Sequence, residues 1–147
     1  LAAGLLFALG DAPVLYYGTE VGLSQPRAKG PHREESRHPM PWGAAQDADL
    51  RAWFKRWIAF RRSHPVLAYG DLRTLQVHNA AGIWLAERRV GAERLLIAVN
   101  TSHTPQVIAL PNGDYVQVMP AVDQDAAPLR GKMLLPERSV LLLQPTS

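Results

Sequence analysis

Cysteine is absent from the 147 residues. That excludes a disulfide framework and any thiolate-held metal, and it leaves the cellular compartment open. No apolar run is long enough to span a bilayer, so no membrane partner is expected. Aromatic residues make up only 7% of the chain. After residue 71 only Trp84 and Tyr115 remain, few for a stacking platform. Acidic residues are missing between Arg51 and Arg62, a stretch that also holds Lys55, Arg56 and Arg61. Together with Arg27, Lys29, Arg33 and Arg37 these basic residues account for much of the net charge of +3. No nucleic-acid-binding motif accompanies them, so the basic helix reads as a solvated outer face, with Arg61 and Arg62 favourably placed at its C-terminal dipole end. No nucleic-acid partner is expected.

What is present is ordinary globular composition, 47% hydrophobic and 20% charged, which excludes disorder. The length suffices for one domain, or for a small domain plus part of another. LAAGLLFALG at the start lacks the basic flank of a signal peptide and reads as the end of a helix, with Leu5, Leu6 and Leu9 on its apolar face and Gly10 at its stop. The missing initiator Met suggests a chain cut from something longer. Asp11-Ala12-Pro13 makes a turn, and Val14 to Tyr17 is a continuous apolar run of the kind expected for a parallel strand covered on both faces. A loop rich in Pro, Gly, Arg and His runs from Gly22 to Trp42. An amphipathic helix follows from about Asp49 to Ser63, with Leu50, Trp53, Phe54, Trp57, Ile58 and Arg61 in helical spacing and Asp47 or Asp49 as cap. His64-Pro65 ends it.

After Gly70 the period changes. Short β-prone runs at 72–77, 83–89, 95–100, 106–110, 115–119, 132–135 and 139–144 alternate with turn chemistry such as Asn79-Ala80-Ala81-Gly82 and Pro111-Asn112-Gly113-Asp114. Six or seven strands without an intervening helix predict an antiparallel sandwich, with Leu95, Ile97, Val99, Val107, Ile108, Val116, Val118, Leu141 and Leu143 facing its core.

Three phrases and their order carry a resemblance. They are Tyr16-Tyr17-Gly18-Thr19-Glu20, Arg37-His38-Pro39-Met40-Pro41-Trp42, and Phe60-Arg61-Arg62-Ser63-His64-Pro65-Val66-Leu67. They closely resemble the last barrel strand, the loop after it and the following helix of the alpha-amylase superfamily, glycoside hydrolase family 13. The cyclomaltodextrinase and neopullulanase branch looks nearest. Thr19 departs from the family's frequent Asp. The resemblance implies an α+β chain in two parts. Residues 1–71 would be the C-terminal piece of a catalytic (β/α)₈ barrel (the end of helix 7, strand 8 and helix 8), and 72–147 an all-β antiparallel sandwich of Greek-key type, the family's domain C.

The implied chemistry is that of a retaining α-glycosidase, which needs two carboxyl groups about 5–5.5 Å apart. In this family those groups, and a third stabilising Asp, follow earlier barrel strands. No catalytic residue is therefore named in this chain, which by itself is expected to be inactive. The loop after strand 8 belongs to the active-site face of such a barrel. Arg37, Glu35 and Trp42 are the candidate substrate-binding residues, Arg37 through its fixed fork of donors and Trp42 by stacking on a sugar ring, although Arg37 could equally lock the loop onto Glu34 or Glu35 and Trp42 could instead anchor the loop to the next helix. Tyr17 and Glu20 read as supporting residues, Tyr17 in the core or lining and Glu20 as a buried carboxylate holding the loop. His32 and His38 with Glu34 and Glu35 match no ligand spacing, so no metal and no cofactor are expected.

The partner implied is an α-glucan oligosaccharide, bound through the parent enzyme. An eighth strand without neighbours, beside exposed Trp53, Phe54 and Trp57, predicts self-association of the isolated chain through residues 1–65. The alternative is a non-catalytic carbohydrate-binding or interaction module formed by the sandwich.

Overall fold

The computed structural model describes residues 1–24, 38–122 and 126–146. Two compact units divide the chain, one made of residues 1–12 and 60–147, the other of residues 13–59.

In the larger unit six strands form one sheet: β1 (Asp71–His78), β2 (Ile83–Val90), β3 (Glu93–Asn100), β4 (Gln106–Met119), β5 (Leu129–Leu135) and β6 (Ser139–Thr146). Their order is β1-β2-β3-β6-β4-β5 and every ladder is antiparallel. The Val90–Glu93 pair closes a two-residue hairpin over Gly91-Ala92, and Gly91 supplies the positive φ of 56° that such a tight turn demands. The antiparallel β domain expected from period and turn chemistry is thus present.

Its core lies on one face of the sheet, where Ile83 and Leu85, Leu96 and Ala98, Ile108 and Leu110, Met133 and Leu135, and Leu141 and Leu143 meet around Tyr115. Each pair is spaced by two, as the pleat requires. Leu95, Ile97 and Val99 are buried as well, on the opposite face of β3. Helix α1 (Ala2–Ala8) packs on β6, and the one-turn helix α3 (Val66–Tyr69) packs on β2 and β3. Coverage on both sides is why β3 is apolar at nearly every position.

Several expectations are corrected here. The runs 106–110 and 115–119 are one strand, β4, and the turn-like residues between them are a bulge where the pairing with β5 jumps from Ala109 to Asp114. Val107 is not in the core. It stands opposite Leu134, and both are exposed. Val116 and Val118 are only partly buried, because the register turns Ile108, Leu110 and Tyr115 inward instead. In α1 the buried face is Gly4, Phe7 and Ala8, with Leu5, Leu6 and Leu9 half-buried.

In the unit of residues 13–59, the run Val14 to Tyr17 forms no strand. A strand exists through its ladder, and among the described residues none pairs with it. Tyr16 and Tyr17 are exposed accordingly, not core residues. A 3₁₀ turn, Thr19–Val21, follows Gly18, whose φ of 81° and close approach to Leu23 exclude a side chain. Helix α2 (Ala48–Ser63) begins where expected. Asp47 caps it, its Oδ1 accepting the Leu50 amide at 2.9 Å. Phe54 and Trp57, expected to face water, are buried, and the Trp53 ring lies 5.2 Å from Phe54 and 5.6 Å from Trp57.

Candidate functional site

Arg37 and Glu35, with Glu34, lie outside the described residues. The remaining candidates sit in the 13–59 unit. The Tyr17 hydroxyl donates to the His38 carbonyl oxygen at 2.9 Å, holding the start of the His-Pro-Met-Pro-Trp segment, and its ring lies 4.7 Å from that of Tyr16. Gln46 donates from Nε2 to the Pro41 carbonyl oxygen at 2.9 Å, and the Asp47 amide donates to the Val21 carbonyl oxygen at 3.0 Å. These bonds fix the backbone on both sides of Trp42. The indole itself is 76% exposed, a flat apolar face turned to solvent from a held segment. Glu20 is half-buried in the 3₁₀ turn.

The acids among the described residues largely have structural occupations. Asp47 caps α2, Glu87 pairs with Arg94, Asp114 pairs with Arg130, and Glu93 accepts the Val66 amide at 3.0 Å. No group of His, Asp and Glu able to hold a metal occurs among the described residues.

Sequence reasoning missed two anchoring arginines, Arg61 half-buried and Arg88 buried. Arg61, read as solvated, donates from Nη1 to the carbonyl oxygens of Phe7, Leu9 and Leu67 at 2.7–2.8 Å and from Nη2 to that of Asp11 at 2.6 Å. Phe7 and Leu9 end α1, so the cation sits where the helix leaves its carbonyls unpaired. Arg88 is 3% exposed and donates to the carbonyl oxygens of Val66, at 3.0 Å, and Gly70. Burial pushes the Arg88 guanidinium below its ordinary value, the Arg61 charge acts in the same sense, and Asp11 and Asp71 oppose both. Burial lowers Arg61 too, against the pull of Asp11. A signal existed for each. Arg61 falls in the apolar stripe of α2, and Arg88 shares the strand face of the buried Ala86.

Asn100 is a further polar anchor, fully enclosed. Its Nδ2 donates to the carbonyl oxygens of Thr104, Leu135 and Pro136, and its Oδ1 accepts the amide and hydroxyl of Ser102. His64 stacks on Phe60 at 3.8 Å, with Nδ1 2.8 Å from the Phe60 carbonyl oxygen, a structural role as expected. Among the described residues the larger unit carries cavities of two kinds. One of about 520 Å³ is apolar, lined by Phe60, Val116, Val118, Val122 and Leu129. The other, about 440 Å³ and open, lies beside Tyr69.

No family model matches the chain. It is 30% identical over 118 residues to an amylopullulanase of Thermoanaerobacter thermohydrosulfuricus, covering 80% of this chain and 8% of that protein. To a cyclomaltodextrin glucanotransferase of Paenibacillus macerans it is 32% identical over 116 residues, covering 73% of this chain and 15% of that one. The chain thus spans a small part of the curated relatives it matches. Its fold superposes on the crystal structure of a pullulanase from Bacillus acidopullulyticus with a TM-score of 0.77 at 19% identity, covering 97% of this chain and 20% of that one.

Proposed function

Because the chain belongs to the alpha-amylase superfamily, glycoside hydrolase family 13, and corresponds to its C-terminal part, we propose that it serves a retaining α-glycosidase acting on α-glucans. In this reading the nucleophile, the acid/base and the stabilising carboxylate are supplied by barrel strands that precede Leu1. Residues 1–71 are the end of the barrel, and residues 72–147 are domain C. The chain alone does not turn over glucan.

The observation that carries the reading is the match itself, which takes in four-fifths of this chain and less than a tenth of an amylopullulanase. The chemistry agrees with it. Hydrolysis with retention needs two free carboxyl groups facing each other, whereas Asp47, Glu87, Glu93 and Asp114 are engaged in capping, ion pairs or backbone contacts. A wall residue needs only a surface for the sugar, and the exposed Trp42 indole on a held backbone is such a surface. Arg37 and Glu35 serve in this reading as hydrogen-bonding partners of glucose hydroxyls.

The isolated chain self-associates through residues 1–65, on the strength of exposed Val14, Tyr16, Tyr17 and Trp42 within that segment. A monomeric scattering profile across a concentration series would overturn that part.

Two measurements test the whole. Maltoheptaose incubated with the chain is expected to stay intact, and turnover by the chain alone would overturn the reading. The coding sequence upstream of Leu1 is expected to continue in frame into a barrel bearing the three carboxylates.

A further inference from the structure

We propose that Tyr69 and the charged face of the β1–β2 ladder beside it form a second α-glucan-binding site, on the β unit and separate from the loop that carries Trp42. The proposal rests on the reading of the chain as part of a glucan-acting enzyme and adds a site to it.

Tyr69 closes α3 with its side chain 81% exposed, among the most exposed large apolar side chains of the protein. It lines an open cavity of about 440 Å³ with Asp71, Arg73, Glu87 and Arg89. The register places Asp71 opposite Arg89 and Arg73 opposite Glu87, and the spacing of two puts all four on one face of the ladder. With Arg94 paired to Glu87, the two acids and three bases of this face leave a single net positive charge, and the mixed donors and acceptors suit the hydroxyl groups of a neutral sugar better than a multiply charged polyphosphate or nucleic acid. Glu87 is engaged by Arg94, which leaves Asp71, Arg73 and Arg89 to meet hydroxyl groups while the tyrosine ring takes the apolar face of a pyranose.

The platform is also rigid, which a four-residue helix would not be by itself. Arg88 donates to the carbonyl oxygens of Val66 and Gly70, Arg61 donates to that of Leu67, and Glu93 accepts the Val66 amide. The Tyr69 amide donates to the Pro65 carbonyl oxygen at 2.9 Å. At Gly70 a Cβ would stand 2.5 Å from the Val66 carbonyl oxygen, so the chain leaves the platform by a turn that only glycine fits. Buried Arg88 and half-buried Arg61 and Glu93 thus hold in advance the segment that presents the exposed Tyr69 ring, the arrangement a binding site needs if little ordering is to be lost on association.

Calorimetric titration of the full chain with maltoheptaose tests the site, with cellohexaose as the β-linked comparison. Tyr69→Ala and Asp71→Asn are each expected to weaken a saturable component at least tenfold while Tyr69→Phe keeps it, and that component is expected to survive Trp42→Ala. Because Tyr69 is exposed, its variants should melt as the parent does, and a melt confirms it. Binding lost in Trp42→Ala but unchanged in Tyr69→Ala would overturn this site and leave the enzyme reading standing. Absence of saturable binding by the parent chain would overturn the site, and the upstream sequence would still judge the enzyme reading separately. Equal affinity for cellohexaose would overturn the assignment to α-glucans.

Discussion

Arg61 reaches back 54 positions to donate to the Phe7 carbonyl oxygen at 2.8 Å. The same guanidinium ties Leu9, Asp11 and Leu67, so one side chain joins the first helix to the segment that leads into the sheet. Arg61→Met is expected to cost roughly 3 kcal/mol, since charge-assisted bonds are lost and carbonyl groups are left unpaired. Arg61→Lys should recover only part, because an ammonium cannot present the planar fork. Arg62→Met, one residue on, should change little. Urea denaturation of the three variants checks the order.

Asp47 accepts the Leu50 amide at the start of α2. Asp47→Ala is expected to cost about 1 kcal/mol, and Asp47→Asn much less, because asparagine caps nearly as well. Thermal melts followed by far-ultraviolet circular dichroism measure both.

Asn100 supplies both donors and acceptors to a fully buried junction, its amide facing three carbonyl oxygens. Asn100→Asp removes those donors and aims a carboxylate at carbonyl groups. Burial and that negative surround should raise the new carboxyl's folded-state value above its unfolded value near 3.9. The folded variant then holds a proton that the unfolded chain gives up. Its stability should therefore match the parent best below about pH 4 and fall behind as pH rises above that, by roughly 3 kcal/mol near neutrality. Denaturation of parent and variant at pH 4 and pH 7.5 tests the sign. A gap that shrinks toward neutral pH would contradict it.

Trp42 presents its indole to solvent from a backbone held by Gln46 and Tyr17. Trp42→Ala should leave stability within about 0.5 kcal/mol of the parent, as for surface positions in general. If the residue belongs to the active-site wall, the same change in the enzyme restored to its upstream segment should raise KM for maltooligosaccharides several-fold. A large loss of stability in the isolated chain would instead mark Trp42 as an anchor.

Local pattern in the amino-acid sequence determined the order of elements, the span and cap of α2, the positions of most strands and the phrases that identify the family. Helical spacing, alternation and turn residues are written over a few neighbouring positions and need no distant partner. The tertiary structure alone decided what depends on neighbours that arrive from far along the chain. Val14 to Tyr17 is apolar enough for a strand but has no described strand to pair with, so the ladder that defines one is missing. Val107 looks like core and is exposed, because a register shared with Leu134 turns Ile108 inward. Arg61 and Arg88 look like surface charge, yet Arg61 is half-buried and Arg88 buried, because the carbonyl oxygens that receive them come from α1 and α3. The platform under Tyr69 likewise exists only once those two arginines have found their acceptors.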